Sequence, residues 1–71
     1  MVDFIFVHSD IDSCNTFYHI LIRSGYTDRY PNSIDKKRLV FRIYPKEKLF
    51  ERIVYSYGTC LSVEDFIDLF L

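Results

Sequence analysis

The first third of the chain combines a continuous apolar run with a helical stripe. Residues 2–8 form an apolar, β-favouring run interrupted only by Asp3, which predicts a central strand covered on both faces. Over residues 10–24 the apolar side chains recur at spacings of three and four, which predicts an amphipathic helix. Gly25 follows where a left-handed C-terminal cap would lie. A strand therefore leads directly into a helix.

The middle of the chain is interpreted as a long connection followed by a second strand. Residues 26–37 contain the turn signal Pro31-Asn32-Ser33. Connections of this length in so small a domain are often functional. Residues 38–44 place Leu39, Phe41 and Ile43 on one side and mixed side chains on the other, which predicts a strand.

Two further helices are predicted after that strand. Pro45 suits the first position of a helix, and the apolar stripe that follows predicts a helix ending at Gly58. Ser62 and Asp65 have the spacing of a capping box, so a third helix is expected to begin there. The chain is thus predicted to be one α+β domain over residues 1–71, with the element order β-α-β-α-α.

This order predicts a small sheet covered by helices. A strand, a helix and a second strand favour a parallel pair joined by a right-handed crossover. A two-stranded sheet is marginal on its own, so either residues 26–37 contain a third strand or another chain completes the sheet. We therefore expect a two- or three-stranded sheet and a homo-oligomer.

Aromatic residues are abundant for a chain of this length. They make up 18% of its 71 residues, and a domain of this size has little interior in which to bury them. The surplus is expected to form an exposed apolar patch of the kind that marks interaction sites. The alternative is that several tyrosines lie half-buried with their hydroxyl groups in water.

The charges are segregated along the sequence although the net charge is only −1. Residues 29–52 carry eight basic side chains against three acidic ones, while the flanking segments are acidic. Tyr30, Phe41 and Tyr44 are interleaved with the basic residues and could stack on bases. Nucleic-acid binding through residues 36–52 is therefore the alternative function, although such domains are usually strongly basic overall.

Residues 4–12 carry the strongest chemical signal in the sequence. They read Phe-Ile-Phe-Val-His-Ser-Asp-Ile-Asp, which resembles the first motif of the DHH phosphoesterases, and the Asp-x-Asp after a strand is similar to the opening of haloacid-dehalogenase phosphatases. The resemblance implies carboxylates that hold divalent metals. The same segment also fits helix capping by Ser9, Asp10 and Asp12. We predict the capping role, with no metal and no cofactor.

No other segment predicts catalysis. Cys14 and His19 fall on different sides of the predicted helix, and Cys14 and Cys60 have no metal-type spacing. No catalytic residue is therefore predicted. The sequence shows no basic, apolar leader and no apolar run of the roughly 20 residues that span a bilayer. We expect a cytoplasmic protein with free thiols and no membrane association.

These patterns favour a non-enzymatic protein-interaction module. We expect an inhibitor or adaptor, of the kind found among phage or mobile-element accessory proteins, that binds and occludes a partner protein. The predicted contact surface combines the 26–37 connection with the basic segment, because long, charged, aromatic loops supply the residue types that dominate interfaces. The predicted partner-binding residues are Tyr26, Arg29, Tyr30, Lys36, Lys37, Arg38 and Arg42.

Overall fold

A five-stranded mixed sheet and two helices make up the fold in a computed structural model that describes residues 3–31, 38–54 and 58–71. The elements in chain order are β1 (Ile5–His8), α1 (Ile11–Arg23), β2 (Thr27–Asp28), β3 (Val40–Tyr44), β4 (Leu49–Ile53), β5 (Leu61–Ser62) and α2 (Val63–Phe70). The strand order is β2-β4-β3-β1-β5. β3 pairs antiparallel with β1 and β4, whereas β2 and β5 pair parallel with β4 and β1.

The predicted β-α-β-α-α fold with a two- or three-stranded sheet is wrong. The chain itself supplies five strands, so the sheet does not need a second chain to complete it. β1 and β3 are antiparallel neighbours, not the parallel pair expected from a crossover. One strand, β2, does lie within the predicted 26–37 connection.

The predicted helix after Pro45 is a turn followed by a strand. Residues 45–48 form the turn, and Lys48 adopts a positive φ of 57°. The chain then returns as β4, which pairs antiparallel with β3. The apolar residues of this segment lie on both sides of a strand, with Phe50 fully buried among the core residues.

Helix α1 has the caps that its sequence predicts. The Asp10 carboxylate accepts the Ser13 backbone N–H at 2.7 Å, which satisfies a donor that the helix leaves unpaired. Gly25 has a φ of 93°, and the Tyr26 N–H donates to the Leu21 carbonyl at 3.0 Å. This is a Schellman motif, whose left-handed residue favours glycine.

The C-terminal helix is also confirmed, with Ser62 as its N-cap. The Ser62 hydroxyl accepts the Asp65 backbone N–H at 3.1 Å. Phe66 is fully buried, whereas Phe70 stacks on it and remains partly exposed. The helix is therefore anchored mainly through one aromatic side chain.

Both helices pack on the same face of the sheet. The ring of Phe17 in α1 lies 4.9 Å from Phe41 in β3 and 5.8 Å from Phe66 in α2, as distances between ring centroids. The buried cluster consists of Val7, Cys14, Phe17, Leu21, Tyr26, Phe41, Ile43, Phe50 and Phe66. The opposite face carries Phe6, Arg42 and Glu51, and neither helix packs on it. Within the described residues, no helix is long and apolar enough to span a membrane.

Candidate functional site

Tyr26, the first predicted partner-binding residue, lies in the core. The Schellman motif at the end of α1 directs it inward, and only 3% of it is exposed. Its ring centroid lies 6.4 Å from that of Phe66, and Lys48 Nζ lies 4.6 Å from its ring centroid. Burial raises the pKa of its hydroxyl group. Tyr26 thus belongs to the core and lies beneath the Lys48 side chain. Direct contact between Tyr26 and a partner stays a prediction.

Arg29 and Tyr30 are exposed at the edge of the sheet, directly after β2. The Arg29 N–H donates to the Phe50 carbonyl of β4 at 2.9 Å, and the Tyr30 N–H donates to Asp28 Oδ1 at 3.0 Å. Tyr30 is 56% exposed. Both backbones are therefore fixed by hydrogen bonds while their side chains face solvent.

Asp28 interacts with helix α1 as well as with this edge. Its carboxylate accepts a hydrogen bond from the Tyr30 backbone N–H. Burial, followed by interaction with the Asp28 carboxylate, raises the pKa of the Tyr18 hydroxyl group. The negative charge of Asp28 is thus already partly engaged within the protein.

The second half of β4 lies beyond the end of β2. Thr27 and Arg29 donate their N–H groups to the carbonyls of Lys48 and Phe50. Backbone groups alternate sides along a strand, so the N–H and C=O of Arg52 point to the same side as those of Phe50. No backbone hydrogen bond from the described residues reaches Arg52 on that side. We call this stretch, Arg52 to Val54, the open edge of β4.

The Arg52 side chain holds the open edge in place. Its Nε donates to the Arg38 carbonyl at 3.2 Å, and its Nη2 lies 3.3 Å from the Cys14 Sγ. The guanidinium carbon also lies 5.8 Å from the Phe41 ring centroid. β4 is therefore attached to α1 and β3 through the Arg52 side chain, while the backbone groups of Arg52 stay available at the edge.

Arg42, another predicted contact residue, lies on the opposite sheet face in an ion pair. Its Nε donates to Glu51 Oε1 at 2.5 Å, and the Tyr44 hydroxyl donates to the same oxygen at 3.4 Å. The Arg42 guanidinium lies 5.8 Å from the ring centroid of Phe4, an exposed aromatic residue. The positive charge of Arg42 is thus largely neutralised within the protein.

The remaining predicted basic residues do not form one continuous surface in the part of the chain that the structure describes. Lys36 and Lys37 lie outside the described residues. Arg38 is half-buried and contributes a carbonyl group to Arg52. Lys46 lies 3.7 Å from the Asp3 carboxylate. The structure therefore brings Arg29, Tyr30 and Lys48 to the β2 edge and places Arg42 on another face.

The phosphoesterase-like segment has a structural role at Ser9 and Asp10. The Ser9 N–H and hydroxyl both donate to the Leu39 carbonyl at 2.9 Å, so Ser9 links β1 to β3 and does not cap the helix. Asp10 is the cap, as predicted, and hydrogen bonds from Ser13 lower its pKa. Among the described residues, no group of three or more His, Cys, Asp or Glu side chains could hold a metal ion.

The sequence does not predict the contribution of β4 to this edge. It predicts a helix over Lys48, Arg52 and Val54, which gives no indication that they lie beside Arg29 and Tyr30. The signal for a strand is weak. Leu49, Glu51 and Ile53 alternate with Phe50 and Arg52, but apolar residues occur on both sides and match a helical stripe equally well.

Comparison with protein-family models, with curated proteins and with solved structures gives no significant match to any of them. Only the geometry of the site therefore indicates a function.

Proposed function

We propose that this chain is a small non-enzymatic protein-binding module that acts as an inhibitor or adaptor by covering a surface of its partner. The observation that carries the proposal is the exposed pair Arg29 and Tyr30, held in place by the backbone at the β2 edge. Arginine and tyrosine are enriched among the residues that dominate binding energy.

The rigidity of this pair matters as much as its chemistry. Binding costs free energy when side chains and loops must become ordered, so a prearranged contact binds more tightly. The backbone of Arg29 is bonded to β4, and that of Tyr30 is bonded to the carboxylate of Asp28. Truncating one such anchor costs about 2 kcal/mol or more, or roughly 30-fold in Kd.

Nucleic-acid binding is the second candidate, supported by the aromatic residues on the helix-free face. The Phe4 ring centroid lies 5.2 Å from that of Phe6 and 5.9 Å from that of Tyr44, and such aromatic groups can stack on bases. However, Arg42 on this face is paired with Glu51, and phosphate binding needs uncompensated positive charge. We therefore rank this function below protein binding.

Self-association remains part of the proposal, but an incomplete sheet is no longer the reason for it. The sheet supplies its own five strands, so its completion no longer requires a second copy. Leu69, Phe70 and Leu71 are nevertheless exposed large apolar residues at the end of α2, and a symmetric dimer could bury them. The free thiols of Cys14 and Cys60 are compatible with action in the cytoplasm.

Affinity capture with matched variants tests the proposed function. The wild-type chain, Tyr30→Ala and Ile11→Ala would be used as bait with nuclease-treated lysate. Ile11 is a suitable control because it is also a large exposed residue but lies at the start of α1, outside both proposed contact surfaces. We expect Tyr30→Ala to lower recovery of the bound protein at least tenfold, and Ile11→Ala to retain it, with both melting temperatures unchanged. Equal recovery with Tyr30→Ala, or loss of the bound protein after nuclease treatment, would contradict the proposal.

A further inference from the structure

The open edge of β4 has the backbone geometry of a strand-addition site. β2 covers only the first two residues of β4, Leu49 and Phe50. The chain then leaves β4, since β2 ends at Asp28 and Arg29 and Tyr30 form a bend. The backbone N–H and C=O of Arg52 are left without a bond from the described residues on that side. Unpaired strand edges of this kind are templates for pairing with another chain.

We propose that this edge binds an extended, acidic peptide strand of a partner protein, placed in line with β2 and hydrogen-bonded to Arg52. The proposal deepens the proposed function and depends on it. In this mode main-chain hydrogen bonds supply affinity, and the alternating side chains supply specificity. Tyr30 follows the end of β2 and Val54 follows the end of β4. Both are exposed and can contact apolar side chains of the added strand.

The charges around the open edge favour acidic residues in that strand. The Arg29 side chain is exposed beside the open edge and forms no ion pair with a carboxylate among the described residues. The Arg52 guanidinium is instead held on the side of α1 and β3, by the Arg38 carbonyl and the Cys14 sulfur. Asp28, which directly precedes Arg29, already accepts a hydrogen bond from the Tyr30 backbone N–H. An acidic strand would therefore meet the exposed guanidinium of Arg29, which favours its association.

The first test selects the ligand without assuming a partner. A random octapeptide display library would be selected on the wild-type chain, and the peptides obtained would be synthesised. We expect enrichment of Asp and Glu alternating with β-branched or aromatic residues, and at least tenfold weaker binding by Arg29→Ala. Peptides without acidic residues, or no selection of any peptide while partner capture succeeds, would overturn the strand-addition proposal and leave the proposed function intact.

The second test locates the peptide on β4 through amide exchange. In the wild-type protein, we expect saturation with the selected peptide to slow exchange of the Arg52 N–H by at least tenfold. Arg52→Pro should bind at least tenfold more weakly than Arg52→Ala, because both lose the guanidinium and only proline lacks the N–H. An Arg52 N–H that stays exchangeable at saturation would overturn the proposal. Protection that rises with protein concentration alone would assign the edge to a second copy and would also overturn it.

Discussion

Arg42 and Glu51 are direct partners across β3 and β4, and they are buried to different extents. The Glu51 side chain is 5% exposed, whereas that of Arg42 is 29% exposed. The pair lies on the sheet face that the helices leave uncovered, where the Tyr44 hydroxyl also donates to Glu51. Removal of either partner leaves the other charge behind, so the two single substitutions should not be equivalent.

We expect Arg42→Ala to destabilise the fold more than Glu51→Ala. The first leaves a nearly inaccessible carboxylate without its cation, whereas the second leaves a guanidinium that water can reach. Breaking a fully buried pair costs about 3–5 kcal/mol, and we expect Arg42→Ala near the lower end of that range and Glu51→Ala about 1 kcal/mol less. Urea unfolding of both variants measures the difference. Equal losses, or a larger loss for Glu51→Ala, would show that the asymmetry in burial does not determine the cost.

Phe66 should be the side chain that attaches α2 to the domain. It is fully buried against Phe17 and Tyr26, while Phe70, which stacks on it, is 40% exposed. Phe66→Ala is expected to lower the free energy of unfolding by about 3–5 kcal/mol. Phe70→Ala is the matched control, with a loss of less than half that size because much of its ring already contacts water. Thermal unfolding would contradict this account if both variants melted at the same temperature.

The cap at Asp10 should make stability depend on pH in the acid range. Hydrogen bonds from Ser13 lower the folded-state pKa of Asp10 below its ordinary value of 3.8. The stabilisation is therefore fully present above that value and is lost as the pH falls through the folded-state pKa. The difference in melting temperature between wild type and Asp10→Ala should shrink below pH 3.8.

Asp10→Asn provides the control for this effect, because asparagine keeps the capping oxygen without a titrating carboxylate. We expect Asp10→Asn to show a smaller acid-induced loss of stability than wild type. A difference between wild type and Asp10→Ala that stays constant from pH 7 to pH 2 would exclude the ionised cap as its source.

The sequence predicts helices α1 and α2 because their signals are local. Asp10, Gly25 and Ser62 mark the helix ends, and each occupies its predicted capping position. The β3–β4 hairpin has no such marker. Its turn places Lys48 at a positive φ, where glycine or asparagine would have given a signal, and Pro45 suits a helix start as well as a turn.

The candidate site could be predicted only in part for the same reason. Arg29 and Tyr30 lie in a segment whose punctuation and length already indicate a surface connection. The open edge beside them depends on the pairing of β4 with β2 and β3, and that register is set by the hairpin turn and by contacts distant in sequence. The role of Arg52 therefore appears only in the three-dimensional fold.

Amide hydrogen exchange along β4 in the free protein tests the open edge most directly. Glu51 and Ile53 point their backbone groups toward β3 and should exchange slowly, whereas Arg52 between them should exchange with solvent at least tenfold faster. Exchange followed by NMR at micromolar protein concentration, well below any concentration at which self-association is detected, distinguishes the three amides. Fast exchange at Arg52 alone is the result that our account predicts, and an Arg52 amide as protected as those of Glu51 and Ile53 would contradict it.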